Sequence, residues 1–370
     1  MNRIVTPAAA LAASLGFACS AAAAPAPRHF SAIKPLFLAL PPNLQWHHAP
    51  HVGAPQLVQW NGTFTDHLSQ TVNYTMVGTD PNSSNVRTKV TVLVIPLKMV
   101  FGAANGNMTF DPLKTKTPNG GKVVKDLLRS PLFKPSIDYV QGGVDLGTTQ
   151  YIDAYQRGNF WSVVKGRPKY HVKLVPHVLD EQEIDVPPGV GMVTTNPFGT
   201  QPVGTMEVDV FDQDIQSILL ANAGTITPDT FPLFVSSNTF LTEGIAVCCI
   251  GGYHSATAGH PSGQTYGYAT YETEVGSFSQ DVSAFSHEIG EWMDDPFTDN
   301  DVNCADNSLM EVGDPLENNA NYGGFPYTVN GRTYNLQSLV FIGYFGAPPS
   351  TSVNDWLSFQ NDEANVCPGQ

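Results

Sequence analysis

The chain has 370 residues, of which 33 are acidic and 18 are basic, so its formal net charge at pH 7 is −15. This charge argues against a nucleic-acid partner, because binding to phosphates requires a basic surface. Only 14% of the residues are charged and 42% are hydrophobic. Such a chain can fold around a substantial core, in one large domain or two.

Residues 1–24 have the features of a secretory signal peptide. Arg3 gives a positive start, an Ala- and Leu-rich core follows, and four alanines at 21–24 provide small-residue cleavage positions. This predicts a secreted protein, either extracellular or periplasmic. No later stretch is long and apolar enough for a transmembrane helix, so we expect no membrane span. Residues 25–60 are rich in proline and are interpreted as an N-terminal arm that precedes one domain at 61–370.

Several later segments show the periodicity of strands or helices. The predicted strands are 89–97, 170–175, 231–235 and 265–274, and the predicted helices before the main motif are 123–130, 151–161 and 208–221. The aromatic residues of the 151–161 helix are interpreted as core packing rather than as a ligand-binding wall. Residues 251–262 are predicted to form turns, and the chain after residue 318 to form short strands and loops.

The most informative segment is a helical pattern at 282–292 that carries potential metal ligands. His287 and Glu291 are one helical turn apart, so both side chains can reach one metal ion. Glu288 stands where the general base lies in the His-Glu-x-x-His pattern of zinc hydrolases. Glu291 replaces the second His of that pattern, and a carboxylate oxygen is also a zinc ligand. The pattern therefore predicts one Zn²⁺ ion, and the alternative is an exposed helix with solvated polar residues.

A second acidic element can return a third ligand to this site. Glu311-Val312-Gly313-Asp314 begins twenty residues after the motif, and either Glu311 or Asp314 fits the role. His254, in a Gly-Gly-Tyr-His segment, is a further candidate as a ligand or transition-state stabiliser, although a lone His in a loop is more often structural.

An acidic segment follows the predicted motif helix. Asp295, Asp299 and Asp301 offer a possible Ca²⁺ site there. A solvated acidic loop is the alternative, because the spacing lacks the Gly and Glu of an EF-hand.

Four cysteines follow the signal region, and an even number in a secreted chain predicts two disulfides. Adjacent cysteines rarely bridge each other, so Cys248 and Cys249 are expected to pair with Cys304 and Cys367, in an order that the sequence leaves open. A four-thiolate zinc site is the alternative. It is disfavoured because secreted thiols oxidise and no Cys-x-x-Cys spacing occurs.

The order of several segments resembles the plant exordium-like (phosphate-induced) proteins and zincin-like secreted proteins of fungi and bacteria. The segments are 249–254, 266–269, the motif helix and Glu311-x-x-Asp314, and the run 149–161 is similar to an aromatic helix of the bacterial members. The resemblance implies an α+β fold with a zincin-like mixed sheet, a metal-ligand helix, a motif region at 230–315 and a loop-rich C-terminal part. By analogy with one zincin group, it favours Glu311 as the third ligand. Pro315 stands where those relatives commonly have a Cys.

These patterns together predict a secreted zinc-dependent metallopeptidase-like hydrolase that acts on extracellular protein or peptide. Its metal ligands would be His287, Glu291 and one of Glu311 or Asp314, and Glu288 would be the general base. The alternative is a non-catalytic, metal-stabilised surface or cell-wall-associated binding protein. Two anionic ligands beside one His reduce the Lewis acidity of the metal, which keeps this alternative open.

Overall fold

The computed structural model describes residues 30, 32–42, 55–244, 246–305 and 308–369. The predicted signal peptide at 1–24 and much of the predicted Pro-rich arm at 25–60 lie outside these residues. Within the described ranges, no helix is long and apolar enough to cross a membrane.

Strands are the dominant elements of the described chain. They are β1 (Ala32–Ala39), β2 (Gln59–Thr65), β3 (Thr71–Val77), β4 (Arg87–Phe101), β5 (Met108–Phe110), β6 (Ile137–Gln141), β7 (Val144–Thr149), β8 (His171–Val178), β9 (Gln182–Val186), β10 (Gly191–Thr195), β11 (Pro202–Glu207), β12 (Thr230–Ser237), β13 (Thr239–Glu243), β14 (Val247–Ala256), β15 (Thr265–Tyr271), β16 (Gly324–Val329) and β17 (Arg332–Gln337).

The helices are fewer and mostly short. They are α1 (Val123–Leu127), α2 (Tyr151–Asn159), α3 (Trp161–Val164), α4 (Val208–Ala221) and α5 (Ser283–Asp294). Single 3₁₀ turns occupy Ala103–Asn105, Asp314–Leu316, Ala320–Gly323, Pro349–Thr351 and Val353–Asp355.

One mixed sheet of eleven strands organises the molecule. Its main path is β10-β11-β13-β14-β15-β12-β4-β5, with β1 added to β14 and with β8 and β9 added to β4. Pairing is parallel between β12 and both of its neighbours and antiparallel between β14 and β15. The sheet curls until it is nearly closed and barrel-like. Three hairpins, β2-β3, β6-β7 and β16-β17, lie outside it.

The predicted α+β, zincin-like fold class is wrong. Of the described residues, 40% are in strands and only 19% in helices, and the large sheet is nearly closed. The prediction failed because many of the strands carry Gly, Thr or Pro and show little hydrophobic alternation, as in β10 and β11. The predicted turns at 251–262 are also wrong for their first half, where Gly251 and Gly252 lie inside β14.

The helices and strands with strong periodicity were predicted correctly. The strands expected at 89–97, 170–175, 231–235 and 265–274 correspond to β4, β8, β12 and β15, and the helix at 208–221 is α4. The helix expected at 151–161 divides into α2 and α3, whose boundary lies at Phe160. The predicted motif helix is α5, and every one of its residues is buried.

The sheet separates two hydrophobic cores, and β14 contributes to both. Tyr253 packs in the core beneath α4, together with Phe211, Tyr266 and Tyr268. The other core contains the apolar residues of α5, of α2 and of the C-terminal segments. Because side chains alternate along a strand, His254 projects away from the α4 core and towards α5.

The described residues contain two disulfides, as predicted, but the predicted connectivity is wrong. Cys248 bridges its neighbour Cys249 within β14, and Cys304 bridges Cys367 with a Cα–Cα distance of 5.5 Å. The loop that carries Cys304 reaches the C-terminal segment, where Ala305 N–H donates to the carbonyl of Pro368. This loop therefore pairs with the end of the chain and not with β14.

Candidate metal centre

A cluster of titratable side chains lies between β14, α5 and the segment that follows α5. Within the described chain, three overlapping groups have ligand atoms within 4.8 Å of one another: His254, Glu291 and Glu311; His287, Glu288 and Glu291; and His287, Asp314 and Glu317. All five residues predicted for the site are therefore brought together. Glu291 is shared by the first two groups and His287 by the last two, and the predicted alternatives Glu311 and Asp314 lie in different groups.

His254, the further candidate from the sequence, joins the cluster from β14, and it is fully buried. Its Nε2 lies 3.1 Å from the backbone carbonyl of Asp295, which can only accept, so Nε2 carries the hydrogen. Burial lowers the pKa of His254 to about 4, and the ring is therefore neutral. Its Nδ1 lone pair then faces carboxylate oxygens of Glu288 at 3.6 Å and Glu291 at 3.7 Å.

Lone pairs that face each other in a buried site repel. Nδ1 of His254 has no hydrogen-bond partner, and neither have both oxygens of Glu288, both of Glu311 and Oε2 of Glu291. Leaving such groups unpaired in the interior costs several kcal/mol. A cation between them would make the same arrangement favourable. Two ligands about 2.1 Å from one zinc ion lie about 3.4 Å apart, which is close to the observed separations.

His287 is oriented by a partner on the opposite side of its ring. Its Nδ1 lies 2.8 Å from Oε1 of Gln337, whose amide nitrogen donates to the carbonyl of Gly313. Nδ1 therefore carries a hydrogen and Nε2 points into the cluster, 2.9 Å from Oε1 of Glu291. Holding the outer ring nitrogen in this way is the usual arrangement around a metal-ligating histidine.

A proton on His287 is the alternative to a cation at this side of the cluster. Burial lowers the pKa of His287, but the negative charges of Glu291, Asp314 and Glu288 raise it well above its ordinary value. The 2.9 Å approach to Glu291 does not have hydrogen-bond geometry, however. A proton on His287 would still leave Nδ1 of His254 without a partner, so it does not explain the whole cluster.

Glu311 faces the inner part of the cluster, and Asp314 faces the outer part. An oxygen of Glu311 lies 3.7 Å from Nε2 of His254, and burial together with Glu291 raises the pKa of Glu311 well above its ordinary value. Oδ1 of Asp314 lies 3.4 Å from Nε2 of His287, and the Asp314 side chain is 33% exposed. Glu317, which the sequence analysis missed, joins His287 and Asp314 at this more open end.

Glu288 lies on the face of α5 that approaches the sheet. A Cβ at Gly252 would lie 2.6 Å from Oε1 of Glu288, so only glycine leaves room for this carboxylate against β14. Burial raises the pKa of Glu288 well above its ordinary value. It is a carboxyl group that readily takes a proton, beside the ligand atoms and held by no hydrogen bond.

Side chains of helix α2 donate hydrogen bonds to residues that position the cluster. The Tyr155 hydroxyl and the Gln156 amide both donate to the carboxylate of Asp294, at the C-terminal end of α5. The Tyr151 hydroxyl donates to the carbonyl of Gln337, the residue that orients His287. The aromatic residues of α2 are core residues, as interpreted from the sequence, and their polar atoms also fix the ends of the site.

The acidic loop after α5 is organised by its own backbone. Oδ1 of Asp295 accepts hydrogen bonds from the N–H groups of Asp299 and Asn300 at 3.0 and 3.1 Å. These bonds compensate the negative charge at the C-terminal end of α5, where the helix dipole disfavours a carboxylate. In the described residues, Asp295, Asp299 and Asp301 do not form one of the potential metal groups. Calcium binding at this loop stays a prediction.

Comparison with known proteins adds no relative. No family model matches the chain, no curated protein matches it, and no solved structure matches it. The resemblance to the exordium-like proteins therefore remains an expectation from short motifs, and the functional argument depends on the geometry of the cluster.

Proposed function

We propose that this protein is a secreted, metal-dependent hydrolase that acts on peptide bonds at the cluster of α5 and β14. The observation that carries the proposal is the buried His254, whose Nδ1 lone pair faces carboxylate oxygens of Glu288 and Glu291 at 3.6 and 3.7 Å and has no hydrogen-bond partner. A divalent cation removes this repulsion. Imidazole with several carboxylates suits zinc first and manganese or iron next.

Glu291 is the ligand on which the proposed centre depends. One of its oxygens faces His287 and the other faces His254. Glu311 supports the inner side and Asp314 the outer side, so both predicted alternatives for the third ligand remain candidates. We expect one ion per chain, with His254 added to the ligands predicted from sequence.

A bound divalent ion acts as a Lewis acid and makes water nucleophilic near neutral pH. Glu288 is the side chain that would take the proton from that water and pass it to the leaving amine, because its carboxylate adjoins the ligand atoms and lacks a competing hydrogen bond. The two disulfides and the predicted signal peptide support an extracellular or periplasmic location.

A non-catalytic, metal-stabilised binding protein is the second candidate. Its support is burial: His254, His287, Glu288, Glu291 and Glu311 are all at most 2% exposed. A purely structural ion needs no access for a substrate, whereas a catalytic one does. The two candidates share the metal and differ in the role of Glu288.

Metal analysis of purified protein tests the part that both candidates share. His254→Ala, His287→Ala and Glu291→Ala should each lose the metal, whereas His177→Ala, at an exposed histidine of β8, should retain it. Full retention of metal in Glu291→Ala would refute the centre. Elemental analysis after purification in limiting zinc, manganese and iron would identify the preferred ion.

Glu288→Gln separates the two candidates. The substitution preserves size but cannot accept a proton, so the variant should keep its metal while hydrolysis of a peptide library falls by about a hundredfold or more. A metal-loaded wild-type protein that cleaves no peptide would favour the binding protein. Unchanged activity in Glu288→Gln would place catalysis elsewhere.

A further inference from the structure

The N-terminal strand β1 covers the edge of the strand that carries His254. It runs parallel to β14, and the register places Phe37 beside Gly252 and Ala39 beside His254. Leu40 N–H extends this pairing with a 3.0 Å bond to the carbonyl of His254. Among the described strands, β1 pairs only with β14, so it is the outermost strand at this edge.

Phe37 of β1 is anchored directly over the proposed centre. Its ring stacks on the imidazole of His287 with 3.9 Å between ring centroids, and it meets Phe278 edge-on at 5.4 Å. Its backbone N–H donates to the carboxylate of Glu317. A Cβ at Gly251 would lie 3.0 Å from the Phe37 ring, so glycine at this position opens the space that the ring fills.

The first residues of β1 are more exposed than Phe37, whereas Leu36, Leu38 and Leu40 pack against the α4 core. Ile33 is 52% exposed, and Lys34 is also exposed, whereas Phe37 is 5% exposed. The strand also contains Pro35, which cannot donate a ladder hydrogen bond. Backbone pairing along an edge, combined with one deeply seated side chain, is the way that extended peptides bind to sheet edges.

We propose that the edge of β14 is a binding groove for an extended peptide, and that residues Ala32–Ala39 occupy it as an inhibitory strand of the same chain. Phe37 fills the anchor subsite formed by Gly251, Phe278 and His287. A substrate peptide with a bulky apolar residue takes the same place when β1 leaves, which opens the approach to His287. This inference rests on the proposed function for the identity of the ligand as a substrate.

Peptide capture by the full-length, metal-free protein tests the groove without requiring catalysis. The probe is a fluorescein-labelled peptide with the sequence of residues 32–39, followed by fluorescence anisotropy. Phe37→Ala weakens the internal strand, so this variant should bind the probe about tenfold or more tighter than wild type. Ile33→Ala, on the exposed side of the same strand, should bind it as wild type does.

Two further measurements distinguish absence of the groove from misfolding of the variant and from failure of the hydrolase proposal. Hydrogen exchange in Phe37→Ala should accelerate at β14 and stay unchanged in the β6-β7 hairpin, which lies outside the main sheet, and this pattern shows release of β1 in a folded protein. The same peptide with Ala in place of Phe should not compete for the groove. Equal probe affinity in wild type and Phe37→Ala overturns the groove, even if metal and hydrolysis are found. Tighter capture without hydrolysis supports the groove and contradicts the hydrolase.

Discussion

The two faces of β14 hold buried carboxylates in opposite ways. On one face, Oδ1 of Asp212 accepts hydrogen bonds from the hydroxyls of Tyr253 and Tyr266, both at 2.8 Å. On the other face, Glu311 and Glu288 accept none and lie close to the lone pair of His254. Neighbouring residues of one strand thus face a carboxylate that has hydrogen-bond donors and a cluster of carboxylates that has none.

The difference shows which buried polar group is structural and which awaits a ligand. A satisfied network such as that of Asp212 contributes to a unique fold by itself. An acceptor cluster without donors destabilises the chain unless a cation joins it. The experiments below therefore compare the two faces, in order of decreasing expected effect.

Metal addition should stabilise the chain through one face of β14 only. At a free zinc concentration a thousandfold above the dissociation constant, the free energy of unfolding should rise by about 4 kcal/mol relative to chelated protein. Urea unfolding with and without metal measures the rise. Glu291→Ala should abolish it. Asp212→Asn should retain it, because that residue lies beyond the sheet from the cluster. A rise of the same size in Glu291→Ala would show that the ion binds elsewhere.

In metal-free protein, replacing a carboxylate should lower the free energy of unfolding on one face of β14 and leave it unchanged on the other. Asp212→Ala leaves two buried phenol hydroxyls without an acceptor and should lower the free energy of unfolding by about 3 kcal/mol. Burial and Glu291 make the charged form of Glu311 unfavourable, so Glu311→Gln, which is neutral, should cause no loss. Chelator-treated proteins compared by urea unfolding give both values. A large loss in Glu311→Gln would show that this carboxylate already has a stabilising partner.

The local part of the site was predictable from sequence, and the part that depends on pairing was not. His287, Glu288 and Glu291 share one helix, so their spacing places them together in any fold that forms α5. His254 is on β14, and only the packing of α5 against that strand brings it to Glu291. The paired glycines before His254 carried a signal, because glycine inside a strand marks close approach of another group.

The prediction of the fold class failed for the same reason, because the fold depends on pairing between distant segments. Hydrophobic periodicity identified β4, β12 and α4, because the pattern of each lies within its own segment. It does not reveal that β1 pairs with β14, more than two hundred residues away, or that β4 pairs with four different strands. The bridge between Cys304 and Cys367 is equally non-local. Closure of a sheet is a property of these long-range partners, so the sequence pattern alone does not contain it.

Glu272 is a further buried carboxylate that lies outside both sites. Its pKa makes a prediction about how stability depends on pH. It is 1% exposed, and its Oε1 accepts one hydrogen bond from the N–H of Glu274 at 3.0 Å, while Oε2 has no partner. Burial raises its pKa from 4.5 to about 7, and the negative charge of Glu274 adds to the rise. Between these values the folded chain keeps a proton that the unfolded chain has lost.

The sign of the pH effect follows from that proton. Because the folded state binds more protons, the contribution of Glu272 to the free energy of unfolding falls as pH rises from 4.5 to 7, and it is constant above. Glu272→Gln is neutral in both states and removes this dependence. Relative to wild type, the variant should gain about 3 kcal/mol of stability between pH 4 and pH 8. Urea unfolding at both pH values, with chelator present, measures the gain.

Glu274→Gln, which removes the neighbouring charge and leaves Glu272 buried, should give a smaller gain. Parallel pH profiles for wild type and Glu272→Gln would mean that water or a cation already stabilises the ionised carboxylate.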